Sequence, residues 1–80
     1  MKKQITLVTA KWCGPCQILK KQIEKEKLQV ETLDFDDDFE SVKQFNVKSV
    51  PVLIVIDSIS FEKINDYEQI LNTIKLNSNI

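Results

Sequence analysis

Apolar residues follow two different periods along the chain, and each period predicts a different element. Residues 4–9 are rich in branched side chains, which predicts a first strand, and Val30, Leu33 and Phe35 predict a second strand over 30–35. The nearly unbroken apolar run at 50–56 predicts a central strand covered on both faces. A polar pair then turns the chain into the alternating Ile59 and Phe61, which predicts a hairpin.

Helical spacing separates the first two strands. Cys16, Leu19 and Ile23 recur on one side of a helix that is predicted to extend to about Lys27. Pro15 suits the first helical position, because the N–H that proline lacks would be unpaired there. A strand, helix, strand order of this kind implies a parallel strand pair with a right-handed crossover.

Two further helices are predicted later in the chain. The short carboxylates of residues 36–38 can accept the unpaired N–H groups at the start of a helix that continues to about Phe45, and Asn46 ends it. Apolar residues at 67, 70, 71 and 74 share one face of a last helix, and residues 77–80 are expected to be a frayed tail. We interpret the acidic run as a solvated helix cap and not as a calcium site, because it lacks the glycine and the alternating ligands of a calcium loop.

The element order therefore predicts an α/β fold of strand, helix, strand, helix, strand, strand, helix. We expect a four-stranded mixed sheet flanked by three helices, in a single domain over residues 1–80. A hydrophobic fraction of 42% is typical of a folded chain, so we expect one core that forms without a bound cofactor.

Charge and composition exclude several classes of function. The net charge of −1 arises from eleven positive and twelve negative residues that are mixed along the chain, so neither nucleic acid nor a membrane surface is an expected partner. The chain has no histidine, which excludes imidazole-based triads and imidazole metal ligands. The start of the chain is too polar for a signal sequence, and a cytoplasmic location is expected.

The candidate chemistry lies in the segment Trp12-Cys13-Gly14-Pro15-Cys16, which contains both cysteines. Two cysteines three residues apart, at the start of a helix, can close a disulfide with little backbone movement. The helix N-terminus stabilises a Cys13 thiolate over the thiol, and Lys11 is expected to add to this effect. A stabilised thiolate is also a good leaving group, so it assists release of a substrate when Cys16 attacks a mixed disulfide.

This segment, followed later by Ser49-Val50-Pro51 at the start of a strand, resembles the thioredoxin family. The resemblance implies a minimal thioredoxin fold and a dithiol-disulfide oxidoreductase, in which Cys13 attacks and Cys16 resolves. It also implies a cis Val50–Pro51 bond that faces the cysteines, with the backbone of Val50 pairing with the substrate chain.

The same resemblance assigns the remaining site residues. Trp12, beside the attacking cysteine, is expected to form a surface for protein substrates, together with Gly14 and Pro15. No metal and no bound cofactor are expected besides the redox-active Cys13–Cys16 disulfide. The implied partners are protein disulfides, and the implied electron source is a flavoenzyme of the thioredoxin reductase type.

Three departures from the family pattern qualify this assignment. The chain is short and lacks the additional N-terminal strand and helix of full thioredoxins, so in length and strand order it is similar to a glutaredoxin. Leu7 stands where thioredoxins usually have a buried aspartate, six residues before the first cysteine. Asn65-Asp66 stands where glutaredoxins have a Gly-Gly pair that helps to hold glutathione, so glutathione is not an expected partner.

Other functions remain open at this point. One is a glutaredoxin-like electron donor to a single partner such as ribonucleotide reductase. Another is a docking module, or a site in which thiolates from two chains hold zinc or an iron–sulfur cluster. A scaffold with an incidental disulfide is a third. The chain is expected to be a monomer in its redox role.

Overall fold

The computed structural model describes residues 4–78 and has the predicted order of elements. Four strands and three helices alternate as the sequence indicates. They are β1 (Gln4–Thr9), α1 (Gly14–Lys25), β2 (Glu31–Asp34), α2 (Phe39–Lys43), β3 (Val52–Ile56), β4 (Phe61–Ile64) and α3 (Tyr67–Ser78).

The strands form one mixed sheet in the order β2-β1-β3-β4. β1 pairs in parallel with β2, as the crossover through α1 requires, and in antiparallel with β3. The β3–β4 hairpin completes the sheet. These directions bring the C-terminal ends of β1, β2 and β4 and the N-terminal end of β3 to the same edge. The predicted α/β architecture is therefore confirmed.

Each face of the sheet has its own core. Side chains alternate along a strand, so β1 and β3 supply both cores. The face under α1 and α3 contains Ile5, Leu7, Leu19, Ile23, Leu53, Val55, Ile70 and Ile74. The face under α2 contains Val8, Val42, Val52 and Ile54. The nearly unbroken apolar run of β3 therefore results from the covering of both its faces.

The strand boundaries differ from the prediction where proline or a turn intervenes. β3 begins at Val52, because Pro51 has no N–H to contribute to a ladder. β4 begins at Phe61, so the prediction that Ile59 lies in the strand is wrong. Ile59 lies in the turn and is 94% exposed. The turn is closed by the Asp57 N–H, which donates to the Ser60 carbonyl at 2.8 Å.

Helix α1 ends at Lys25, two residues earlier than predicted, in a Schellman motif. The Leu28 N–H donates to the Ile23 carbonyl at 3.0 Å, and the Lys27 N–H donates to the Glu24 carbonyl at 3.1 Å. This closure requires a left-handed residue, and Lys27 has a φ of 55°. A lysine therefore occupies the position that glycine usually takes.

Helix α3 is longer than the apolar pattern indicates. Ile70 and Ile74 are fully buried, and Tyr67 and Leu71 pack against the same core, as predicted. The helix continues through Ser78, so the frayed tail predicted to begin at residue 77 is wrong for residues 77 and 78. Residues 79–80 lie outside the described part of the chain.

Candidate functional site

The two cysteines begin helix α1 at the common edge of the sheet. Cys13 is the N-cap residue in an extended conformation, Gly14 is the first helical residue, and Pro15 is the second rather than the first. The Cys16 N–H donates to the Cys13 sulfur at 3.2 Å. The two residues form a disulfide with their Cα atoms 5.2 Å apart. The Cys16 N–H is one of the first N–H groups of the helix, which have no acceptor within the helix, and it points at the Cys13 sulfur. In this position it stabilises negative charge on that sulfur.

The two sulfurs differ in access. Cys13 is 6% exposed and Cys16 is fully buried. Both pack with the buried Ala10, and the partly buried Phe35 and Val50 close the cluster. Because only Cys13 has surface open to solvent, an incoming disulfide can reach Cys13 and not Cys16.

The loop before β3 faces the cysteine pair. The Val50–Pro51 peptide bond is cis, and the Val50 carbonyl oxygen lies 3.7 Å from the Cys13 sulfur. This oxygen opposes a negative charge on Cys13, whereas the Cys16 N–H at 3.2 Å favours it. The N–H is closer and belongs to the helix N-terminus, which favours the thiolate.

Trp12 lies beside the pair on the outer surface. Its side chain is 66% exposed, and its indole Nε1–H donates to the Asp36 carboxylate at 2.9 Å. The rings of Phe35 and Trp12 form a T-shaped pair with centroids 6.2 Å apart, and Phe35 forms another T-shaped pair with Phe39. The indole is therefore held in place at its polar end while most of its surface stays exposed.

The acidic run after β2 is organised around Asp34 and not around the α2 helix. One Asp34 carboxylate oxygen accepts the N–H groups of Asp36 and Asp37, both at 2.9 Å. Asp38 occupies the N-cap position of α2, but its carboxylate accepts the Asp34 N–H instead of a helical one. The prediction that residues 36–38 cap α2 through their side chains is therefore wrong.

This arrangement lowers the pKa of Asp34. The largest cause is the hydrogen bond from the Asp37 N–H, and the Asp36 N–H acts in the same direction. Desolvation opposes this shift, and the charges of Lys11 and Lys20 add to it. The carboxylate form of Asp34 therefore holds the loop in shape.

Lys11 is engaged by this loop. Its ammonium donates to the Asp37 carboxylate at 3.0 Å, and both side chains are exposed. This hydrogen bond is the largest cause of the raised pKa of Lys11. The structure therefore directs Lys11 to Asp37, and its expected contribution to the Cys13 thiolate receives no support from these contacts.

Four residues that position the cysteine turn were not identified from the sequence. Asp36 and Asp37 hold Trp12 and Lys11, across 24 and 26 residues of chain. Gln17 donates from Nε2 to the Ala10 carbonyl at 3.0 Å, which ties the turn to the helix, and the hub Asp34 completes the set. No local pattern identifies the contacts of Asp36 and Asp37, because their partners meet them only when β1 and β2 pair.

Leu7 is fully buried in the core under α1 and α3. A leucine there can neither accept nor donate a proton, so the sheet supplies no carboxylate from this position for deprotonation of Cys16. Among the described residues no group of three or more His, Cys, Asp or Glu side chains is placed to hold a metal ion. Within residues 4–78 no helix combines the length and the apolar character needed to cross a bilayer.

Comparison with known proteins assigns the family. The family model described as Thioredoxin matches residues 1–80. The chain belongs to the thioredoxin family. Thioredoxin from Bacillus subtilis (strain 168) is 32% identical over 53 residues, which covers 59% of this chain and 51% of that protein. Thioredoxin from Alicyclobacillus acidocaldarius is 35% identical over 52 residues, covering 58% and 50%. The match thus spans about half the length of these curated thioredoxins.

Solved structures show the same fold. The X-ray structure of Fasciola hepatica thioredoxin has a TM-score of 0.75 to this chain, at 18% identity, and the match covers 95% of this chain and 81% of the other. At this identity the likeness establishes the thioredoxin fold. The family model therefore confirms the sequence resemblance to the family, and the solved structures confirm the expected fold.

Proposed function

We propose that the chain is a dithiol-disulfide oxidoreductase that reduces protein disulfides through Cys13 and Cys16. One observation carries the proposal: the Cys13 sulfur accepts a helical N–H at 3.2 Å, with its partner sulfur buried one turn further along. Membership of the thioredoxin family and the Cys13–Cys16 disulfide support the same activity.

The reaction has two exchange steps. The Cys13 thiolate attacks one sulfur of the substrate disulfide, the substrate S–S bond breaks, and the departing thiolate takes a proton from solvent. The Cys16 thiol then gives its proton to solvent or to the departing substrate and attacks the Cys13 sulfur. This releases the second substrate sulfur as a thiol. Two electrons pass from the dithiol to the substrate, and the protein is left as the disulfide.

The substrate-facing roles follow from position around Cys13. Trp12, Gly14 and Pro15 are all exposed next to it, so in this proposal they form one side of the docking surface. On the other side, Val50 is partly buried against the pair, and the partly buried Pro51 follows it in the chain. The Val50 backbone would pair with the substrate chain there.

We further propose that a flavoenzyme of the thioredoxin reductase type, using NADPH, returns the disulfide to the dithiol. Glutathione is not the proposed donor, because Asn65-Asp66 replaces a Gly-Gly pair. The Asp66 carboxylate is engaged in accepting the Gln69 N–H at 3.1 Å at the start of α3. A cytoplasmic location, one domain and a monomeric state complete the proposal.

An insulin assay tests the activity. The purified dithiol form is expected to reduce insulin disulfides, and NADPH with a thioredoxin reductase is expected to sustain turnover where reduced glutathione does not. Cys13→Ser should abolish turnover. Equal rates for wild type and Cys13→Ser would reject the proposed role of the pair.

A trapping experiment separates the roles of the two cysteines. Cys16→Ser leaves the attacking sulfur without a resolving partner, so this variant should accumulate a mixed disulfide with substrate that is stable until a reductant is added. Cys13→Ser is the matched control and should accumulate none, because the remaining thiol is buried. Equal trapping by both variants would contradict the assignment of Cys13 as nucleophile.

A further inference from the structure

A cleft lies on the β4 side of the cysteine edge and has no part in the reaction described above. It has a volume of about 250 Å³. Its lining is partly polar and partly apolar and consists of Asn46, Val47, Lys48, Ser49, Val52, Lys63 and Asn65. The cleft is thus formed by the loop that precedes the cis bond and by the end of β4.

Within the described part of the chain, the cleft is lined by two positively charged side chains and by no carboxylate. Among residues 4–78, neither Lys48 nor Lys63 forms an ion pair with a carboxylate. Lys63 lies opposite Ile54 in the β3–β4 register and Glu62 lies opposite Val55, so the two side chains occupy opposite faces of the sheet. Asp66, the next acidic residue, is engaged at the start of α3.

The cleft is also arranged to hold an anion. The Lys63 ammonium donates to the Asn46 carbonyl at 3.0 Å, which fixes its position and leaves two of its three hydrogens for another acceptor. The hydroxyl of Ser49 and the amide of Asn65 add neutral donors. The cleft is large enough for a carboxylate with bridging waters.

The position of the cleft relates it to the redox centre. Lys48 is two residues from Val50, whose carbonyl lies 3.7 Å from the Cys13 sulfur. An extended chain advances about 3.3 to 3.6 Å per residue, so Lys48 and Val50 are at most about 7 Å apart along the backbone. A substrate chain that pairs with the Val50 backbone and continues toward Lys48 would therefore bring to the cleft a side chain about two or three residues from its disulfide.

We propose that this cleft binds an aspartate or glutamate side chain of the protein substrate, so that the enzyme prefers disulfides with an acidic residue two or three positions away. This inference rests on the proposed reductase function and adds the substrate class. Two partly solvated lysine–carboxylate contacts are expected to give a preference of about 3- to 5-fold. The preference should shrink as salt is added.

The test uses three peptides, each closed into a loop by one disulfide. They differ only at two positions, one lying two residues before the first cysteine and the other two residues after the second. Both positions are Glu in one peptide, Gln in another and Lys in the third. The dithiol form, reduced beforehand and freed of reductant, is mixed with each peptide and the second-order rate is measured. Wild type should reduce the Glu peptide about 3- to 5-fold faster than the Gln peptide, and the Lys peptide slowest. Lys48→Gln with Lys63→Gln should remove the Glu-over-Gln preference while keeping the rate for the Gln peptide.

Lys21→Gln with Lys25→Gln is the matched control, because it removes the same charge from α1, away from the cleft. This control should keep the preference. Equal rates of wild type on the three peptides, or an equal loss of preference in both double variants, would overturn the inference and leave the reductase function standing. Failure to reduce even the Gln peptide would overturn the reductase function and the inference with it.

Discussion

The proposed chemistry depends on a few atoms around one sulfur. The N–H of Cys16 is placed to stabilise negative charge on Cys13, and the carbonyl of Val50 to limit that stabilisation. In the proposed reaction, burial of Cys16 keeps the second sulfur out of reach until the first has reacted. Leu7 supplies no carboxylate for this second thiol, so in the proposed reaction water or the substrate accepts its proton.

Stability at acid pH depends in part on Asp34. Its pKa is lowered chiefly by the Asp37 N–H, so its carboxylate favours the folded state at pH values above its unfolded pKa of about 3.9. That contribution is lost as the pH falls through the lower pKa of the folded state. Wild type should therefore unfold less readily than Asp34→Asn at pH 7, and the difference should vanish at the most acid pH values. Urea unfolding of both proteins from about pH 2 to about pH 7 measures this difference in stability, because the range includes the titration of a carboxylate. A difference that stays constant across this range would contradict the assigned role.

At the scale of elements, the sequence pattern predicted the type and order of every helix and strand. The branched residues of β1 and the apolar run of β3 indicated strands, because both strands are buried on their two faces. The shape of the acidic loop was not predictable in this way. Asp38 has the sequence signature of a helix cap, yet its carboxylate binds the Asp34 N–H, a choice set by how β2 enters the loop.

Glycine substitutions inside α1 and just after it are predicted to change the free energy of unfolding in opposite directions. Lys27 has a φ of 55°, a conformation that costs a residue with a side chain about 1 kcal/mol or more. Lys27→Gly should therefore raise the free energy of unfolding by about 0.5 to 1 kcal/mol, after the larger entropy of the unfolded glycine chain is counted. Lys21→Gly, inside the same helix, should lower it by about 1 kcal/mol. Denaturant unfolding would contradict this account if both variants were destabilised alike.

Adjacent residues of α1 test the packing of the helix on the sheet. Leu19 is fully buried, whereas Ile18 is 62% exposed. Leu19→Ala should lower the free energy of unfolding by about 3 kcal/mol, from lost burial and the cavity left behind. Ile18→Ala should change it by less than about 0.5 kcal/mol. The measurement is the midpoint of thermal unfolding of each variant. Similar midpoints for the two variants would contradict the placement of this helix.

At the scale of the whole molecule, the sheet order gathers parts that are distant in the chain. The ends of β1, β2, β3 and β4 share one edge, so the cysteine turn lies between the acidic loop after β2 and the lysine-lined cleft beside β4. The net charge of −1 does not reveal that acidic and basic side chains are separated on the two sides of the cysteine turn. The spacing of Cys13 and Cys16 was readable from the sequence because it is local, whereas the contacts of Trp12 with Asp36 and of Lys11 with Asp37 exist only once the strands pair.

The central claim is that the helix N-terminus makes Cys13, and not Cys16, the reactive thiolate. The most direct measurement is the rate of alkylation of each cysteine in the reduced protein as a function of pH, with the modified residue identified by mass spectrometry. The account predicts that Cys13 reacts first and that its reactivity rises with a midpoint below the ordinary thiol pKa of about 8.5, while Cys16 stays protected in the folded protein. Equal reactivity of the two cysteines, or a Cys13 midpoint at or above about 8.5, would contradict it.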